Sequence, residues 1–141
     1  MLYRKIEKEI KEHLENNANT ILIVEGARQV GKSFIIRKVA QELFKNYIEI
    51  NFAEDKFQSK TFEQVSSVQD FYMKLSSVAG ERMNKKNDTI IFLDEIQEYP
   101  QFLTLLKFLN QDNRFTFIAS GSLLGITLNK TTSIPLGSIL I

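Results

Sequence analysis

An α/β domain built on a mainly parallel sheet is the fold class this 141-residue chain predicts, and three observations predict it. Short apolar runs, Ile21 to Val24, Thr89 to Leu93 and Phe115 to Ala119, read as strands, and the first, without polar alternation, is as expected of a strand covered on both faces. Segments with helical spacing separate these runs, which is the pattern of a parallel sheet with crossover helices. Between the first run and the first such segment stands Gly26 to Ser33, GARQVGKS, where two of only six glycines frame a loop that ends in Lys32 and Ser33.

Each element follows in order. Leu2, Ile6, Ile10 and Leu14 recur every four residues among Lys and Glu, which predicts a helix over 2–16 with one narrow apolar stripe. Asn16 to Thr20 break it, and Ile21 to Val24 form the first strand. After Ser33, the spacing of Phe34, Ile35, Val39, Leu43 and Phe44 predicts a helix, and Tyr47 to Phe52 a second strand, completing a βαβ unit. Ser66 followed by Gln69 resembles a capping box, and Val68, Phe71, Tyr72 and Leu75 supply the apolar face of a helix over about 67–83. Lys85 to Asp88 is a turn. Thr89 to Leu93 is the third strand and delivers Asp94 and Glu95 at its end. Pro100 opens a leucine-rich helix that fades at Asn110 to Arg114, and Phe115 to Ala119 is the fourth strand, ending in Ser120, Gly121 and Ser122. There is no internal repeat and no low-complexity linker.

Composition narrows the chemistry. Eighteen basic residues against seventeen acidic ones leave a net charge of +1, so no global field indicates nucleic acid or an anionic membrane. The absence of cysteine removes disulfides, thiolate nucleophiles and Cys-based zinc sites. The N-terminal stretch MLYRKIEKEIKEHLE is charged throughout, unlike a signal peptide, and no apolar run approaches the ~20 residues of a membrane helix. The expected setting is cytoplasmic. His13, the single histidine, reads as a helix-surface residue, and Phe57, Phe62 and Phe71 as core or lid packing.

GARQVGKS matches G-x-x-x-x-G-K-[ST] in the strand-to-helix context that the motif requires. Its glycines let the backbone curl until several N–H groups point inward, and the positive end of the next helix adds to that field. A phosphate cradle is therefore expected from Gly26, Ala27, Arg28, Gln29, Val30, Gly31, Lys32, Ser33 and Phe34. Lys32 is placed to reach the β and γ phosphates of a nucleotide, and the Ser33 hydroxyl to ligate Mg²⁺. Asp94 and Glu95 leave a buried strand at its C-terminal end, where ligands of open α/β sheets bind. Asp94 is the expected second metal ligand, through water, and Glu95 the base that polarises an attacking water. Ser120, at the end of the fourth strand, is a candidate for contact with the γ phosphate or that water, and Ser122 a weaker one. ATP is favoured over GTP, because Gln97 stands where Asp-x-x-Gly would have its glycine and Asn129 to Thr132 lacks the aspartate of N-K-x-D.

GARQVGKS, LDEIQ and SGSLLGITL, in this order, closely resemble the prokaryotic AAA-type ATPases that carry a C-terminal nuclease-like domain. The resemblance spans nearly the whole chain. It implies a three-layer P-loop NTPase fold with an additional strand and sheet order 5-1-4-3-2, which sets the Ser120 strand between those of Lys32 and Asp94. On the same resemblance, residues 1–141 are an N-terminal ATPase domain, with a helix over 2–16 and a core over 19–141. Its fifth strand, Ser138 to Ile141, is truncated, and the helical lid and further domain are absent. The sequence departs from the family at Ser138, where a basic residue is usual after the segment Ser133 to Gly137.

The expected function is Mg²⁺-dependent ATP binding and hydrolysis driving a conformational change, with a homo-oligomeric or protein partner. A nucleotide-binding module without turnover is the alternative from another class, and a small-molecule kinase a third. No arginine is obviously placed to neutralise the transferring phosphoryl group: Arg28 lies in the cradle, Arg37 on the next helix, Arg82 before the third strand and Arg114 at the wrong end of the fourth. Slow turnover by the isolated chain is the consequence.

Overall fold

The computed structural model describes residues 2–16, 21–25, 31–84, 88–112, 115–122 and 137–140. Five parallel strands form one sheet: β1 (Leu22–Glu25), β2 (Asn46–Asn51), β3 (Thr89–Asp94), β4 (Thr116–Gly121) and β5 (Gly137–Leu140). Their order is β2-β3-β4-β1-β5, which is the expected 5-1-4-3-2 read from the other edge. The fifth strand begins one residue earlier than expected, at Gly137.

Side chains alternate between two apolar layers because successive strand residues face opposite sides of the sheet. Leu22, Val24, Ile90, Phe92 and Ile118 lie in one layer with Ile6 and Ile10 of α1 (Leu2–Asn16) and Ile35, Ile36, Val39 and Ala40 of α2 (Lys32–Leu43). The apolar stripe of α1 is thus spent on this layer. Lys11–Glu42 and Lys38–Glu7, both 2.9 Å, add exposed ion pairs between the two helices.

Ile23, Ile48, Ile50, Ile91, Leu93, Phe117 and Ala119 face the other layer, which is covered by α4 (Val68–Ala79) and α5 (Gln101–Asp112). An aromatic cluster fills its end: Phe52 stands 4.5 Å from Phe102, 5.1 Å from Tyr99 and 5.8 Å from Phe62 between ring centroids. Phe62 and Phe71 belong to this core, as read from the sequence. Phe57 does not. It is 93% exposed at the end of a short helix, α3 (Phe52–Phe57), which replaces the expected last residue of the second strand.

The cause of α3 is local. The Asn51 carboxamide accepts hydrogen bonds from the N–H groups of Ala53 and Glu54, at 2.9 and 3.1 Å, and so caps a new helix as β2 ends. Asp55 then organises the loop that follows. Its carboxylate accepts from the N–H groups of Thr61 and Phe62, from the Ser59 hydroxyl and from the Tyr99 hydroxyl at 2.8 Å. Burial, reinforced by that bond to Asp55, pushes the Tyr99 phenol well above its ordinary range. Two other boundaries differ. The cap of α4 is Ser67, not Ser66, with its hydroxyl accepting from Asp70 N–H at 3.1 Å. The α-helix stops at Ala79 because Gly80 adopts φ 61, and a 3-10 turn, Gly80–Asn84, completes the span.

At the outer edge, Arg37 of α2 donates from Nε and Nη2 to both carboxylate oxygens of Glu49, at 2.7 and 2.9 Å, and the Tyr47 hydroxyl donates to the same carboxylate. Partial burial raises the carboxyl of Glu49, but the bonds from Arg37 and Tyr47 outweigh it and hold the group below its ordinary value. A carboxylate depressed by folding adds stability above its unfolded pKa and loses it as pH falls through the folded one. Acid unfolding is therefore expected to steepen below about pH 4.3. In Glu49→Gln that part of the pH dependence is expected to vanish, as measured by urea denaturation across pH 2–6.

Candidate functional site

Three strand ends and one helix start converge at the C-terminal edge of the sheet. β1 runs out at Glu25, and α2 begins at Lys32 after Gly31, whose φ of 73 and ψ of 21 are left-handed, a conformation natural to glycine. Gly26, Ala27, Arg28, Gln29 and Val30 lie outside the described residues. Lys32 is 2% exposed at the first turn of α2, so its ammonium works in a medium of low dielectric. Phe34 is exposed, one position beyond Ser33.

β3 carries Asp94 to the same edge, 3% exposed, on the sheet face that α2 covers. The Ser33 hydroxyl donates to Asp94 Oδ2 at 2.9 Å. Ser120, fully buried on the neighbouring β4, donates to Asp94 Oδ1 at 2.5 Å. The two serines and the carboxylate come from three separated parts of the chain and meet because the sheet order places β4 between β1 and β3. Ser120 lies within β4 rather than just past it, paired in register with Val24. The fourth strand starts one residue later than the apolar run and ends two residues beyond it, where Ser120 and Gly121 are buried and paired with β1.

Glu95 follows in an unusual backbone state, φ 56 and ψ 47. Left-handed geometry costs a residue other than glycine about 1–3 kcal/mol and persists where its surroundings enforce it. Here the Glu95 N–H donates to Asp94 Oδ1 at 2.9 Å and the Glu95 carbonyl accepts from Glu98 N–H at 3.1 Å, closing a 3-10 turn over Ile96–Glu98. Glu95 is half-buried where Asp94 is buried, so the two acidic residues differ in surroundings.

These residues suit a divalent cation held mainly by phosphate and water. Among the described residues no cluster of three or more acidic, histidine or cysteine side chains could enclose a metal, whereas Mg²⁺ at nucleotide sites takes only one or two protein oxygens. Ser33 and Asp94 supply two hard oxygen donors, already within 2.9 Å of each other.

The family described as AAA domain matches residues 18–140. The chain belongs to that family. Its fold also resembles the structure of C. elegans PCH-2, with a TM-score of 0.53 at 14% identity, covering 98% of this chain and 40% of that one. The chain thus spans less than half of that protein's length. No curated protein matches the sequence. A nucleotide-binding function of ATPase type goes with the AAA domain.

Two features of this AAA domain lay beyond the sequence reading. Gln97, the last residue of LDEIQ, bonds to both Glu95 and Ser122, the residue after β4: Nε2 donates to Glu95 Oε2 at 2.6 Å, and Oε1 accepts from the Ser122 N–H at 3.2 Å. Ser122 thus contributes its backbone. Glu25, the last residue of β1, is 6% exposed, and its Oε1 has no hydrogen-bond partner among the described residues. Burial pushes its carboxyl above the ordinary value. Arg37 and Arg82 are engaged elsewhere, Arg37 with Glu49 and Arg82 with the carbonyls of Ala79 and Tyr47. Arg28 and Arg114 lie outside the described residues. No helix among the described residues is long and apolar enough to cross a membrane.

Proposed function

We propose that this AAA domain binds Mg·ATP and hydrolyses its β–γ bond. The observation that carries the proposal is the shared carboxylate of Asp94, bonded on one oxygen to Ser33 and on the other to Ser120. Magnesium, when bound, supplies charge neutralisation at the phosphate oxygens. The cradle of Gly26 to Phe34 holds the phosphates, with the Lys32 ammonium directed at the β and γ groups. Ser33 and Asp94 hold the metal, Asp94 through water. Glu95 takes the proton of the attacking water, and Ser120, tied to Asp94, responds to the γ phosphate. ATP is the nucleotide favoured over GTP.

The motifs GARQVGKS, LDEIQ and SGSLLGITL support a finer assignment, to the prokaryotic AAA-type ATPases with a nuclease-like C-terminal domain. In that assignment residues 1–141 are one ATPase domain, with helix 2–16 leading a core over 19–141, in a cytoplasmic setting. A homo-oligomeric or protein partner receives the conformational change.

Calorimetric titration with ATP, with and without Mg²⁺, followed by phosphate release from the same preparation, tests the proposal. Magnesium-dependent binding with phosphate release is expected. Binding without release identifies a nucleotide-binding module that does not turn over, and no binding overturns the proposal.

A further inference from the structure

The Glu95 carboxylate does not stand on its own backbone alone. Gln97 bridges it to Ser122, the residue after β4, accepting from the Ser122 N–H at 3.2 Å and donating to Glu95 Oε2 at 2.6 Å. The polarity of the bridge is fixed by chemistry. An ionised carboxylate accepts only and a backbone N–H donates only, so a flipped amide would set like against like at both ends. Ser122 lies two residues beyond Ser120, whose hydroxyl bonds to Asp94. Two links therefore join this part of the chain to the end of β3 and the residue after it: Ser120 of β4 bonds to Asp94, and Ser122, just past β4, reaches Glu95 through Gln97.

We propose that Gln97 is a positioning residue, which sets the Glu95 carboxylate against the end of β4 in the orientation needed to take a proton from water. The inference rests on the ATPase reading for its catalytic consequence and on the two hydrogen bonds for its geometry. Three features of the site converge on it. Glu95 sits in a left-handed conformation, so its side chain leaves the main chain in a direction that an ordinary turn would not give. A neutral amide fixes a carboxylate without cancelling its charge, as a lysine or arginine would. The bridge also spans from the turn over Ile96–Glu98 to Ser122, two residues after Ser120, so a shift at the end of β4 is passed to Glu95 through the Gln97 side chain.

Two variants test it. Gln97→Glu keeps the size and the acceptor for Ser122 N–H but removes the donor to Glu95, and Gln97→Leu removes both. The first readout needs no turnover. In ¹⁵N–¹H spectra of the intact chain, Glu95→Ala is expected to move the Gln97 side-chain amide resonances, and Gln97→Leu to move the Ser122 backbone amide. The second readout is kinetic. Misplacing a catalytic group by about 1 Å can cost on the order of a hundredfold, so both Gln97 variants are expected to lower kcat about tenfold to a hundredfold with KM for ATP held within about twofold. Amide resonances that ignore the substitutions overturn the bridge, and an unchanged kcat in Gln97→Glu overturns the positioning role. Resonances that shift in the variants, together with a wild-type chain that releases no phosphate, uphold the bridge and overturn the ATPase reading instead.

Discussion

Lys32→Ala is expected to leave a folded protein that no longer binds ATP at measurable affinity. The ammonium is the one side-chain cation described at the start of α2, and it is 2% exposed, so water screens little of its charge. Hydrogen bonds to charged groups contribute about 1.5–3 kcal/mol each. Losing two of them, one to each phosphate, weakens binding by roughly a hundredfold or more. The backbone accommodates the change, because the position opens a helix and alanine favours helix. Truncation does leave space around the buried stem, so Lys32→Met is the sharper variant, keeping most of the volume and removing only the cation. Both are expected to melt within a few degrees of the wild type by circular dichroism and to show no heat on ATP titration. Wild-type affinity in Lys32→Met would overturn the assignment of the phosphate cradle.

How far the site could be read from sequence depends on whether its parts are consecutive. GARQVGKS and the Asp94–Glu95 pair are runs on single loops or strand ends, and their strand-to-helix and strand-end contexts are visible in apolar patterning. Ser120 is different. Its meeting with Asp94 needs β4 to lie beside β3, and that order came from the family resemblance rather than from periodicity. Gln97 was out of reach, since a residue two positions after Glu95 in a 3-10 turn carries no spacing signal for a bond to Ser122. In the fold, the short helix α3 escaped because six residues are too few for a 3.6-residue period to show. A local signal was present: Asn51 followed three residues later by Glu54, the pattern of a helix cap, and Asn51 does cap α3. Phe57, at the end of that missed helix, was misplaced with it.

Glu95→Gln is expected to retain Mg·ATP and lose hydrolysis, and the network around it explains why the two properties should separate. A general base contributes about 10² to 10⁴ in rate, so kcat should fall by that factor. Glutamine keeps the length of the side chain and an acceptor oxygen for the Gln97 amide, now at 2.6 Å from Oε2. The turn is also unaffected, because it is closed by backbone groups and by the Asp94 carboxylate. Asp94→Asn makes the contrasting case. Its oxygen can keep the bonds from Ser120 and Glu95 N–H, and its amide can donate to the Ser33 hydroxyl, which rotates to accept. The fold should therefore survive, while the metal loses a negative ligand. In titrations with and without Mg²⁺, Asp94→Asn is expected to flatten the magnesium dependence of ATP affinity, and Glu95→Gln to leave it as in the wild type. Loss of binding in both would mean that the two carboxylates act as one acidic patch, and the division of labour between metal ligand and base would fall.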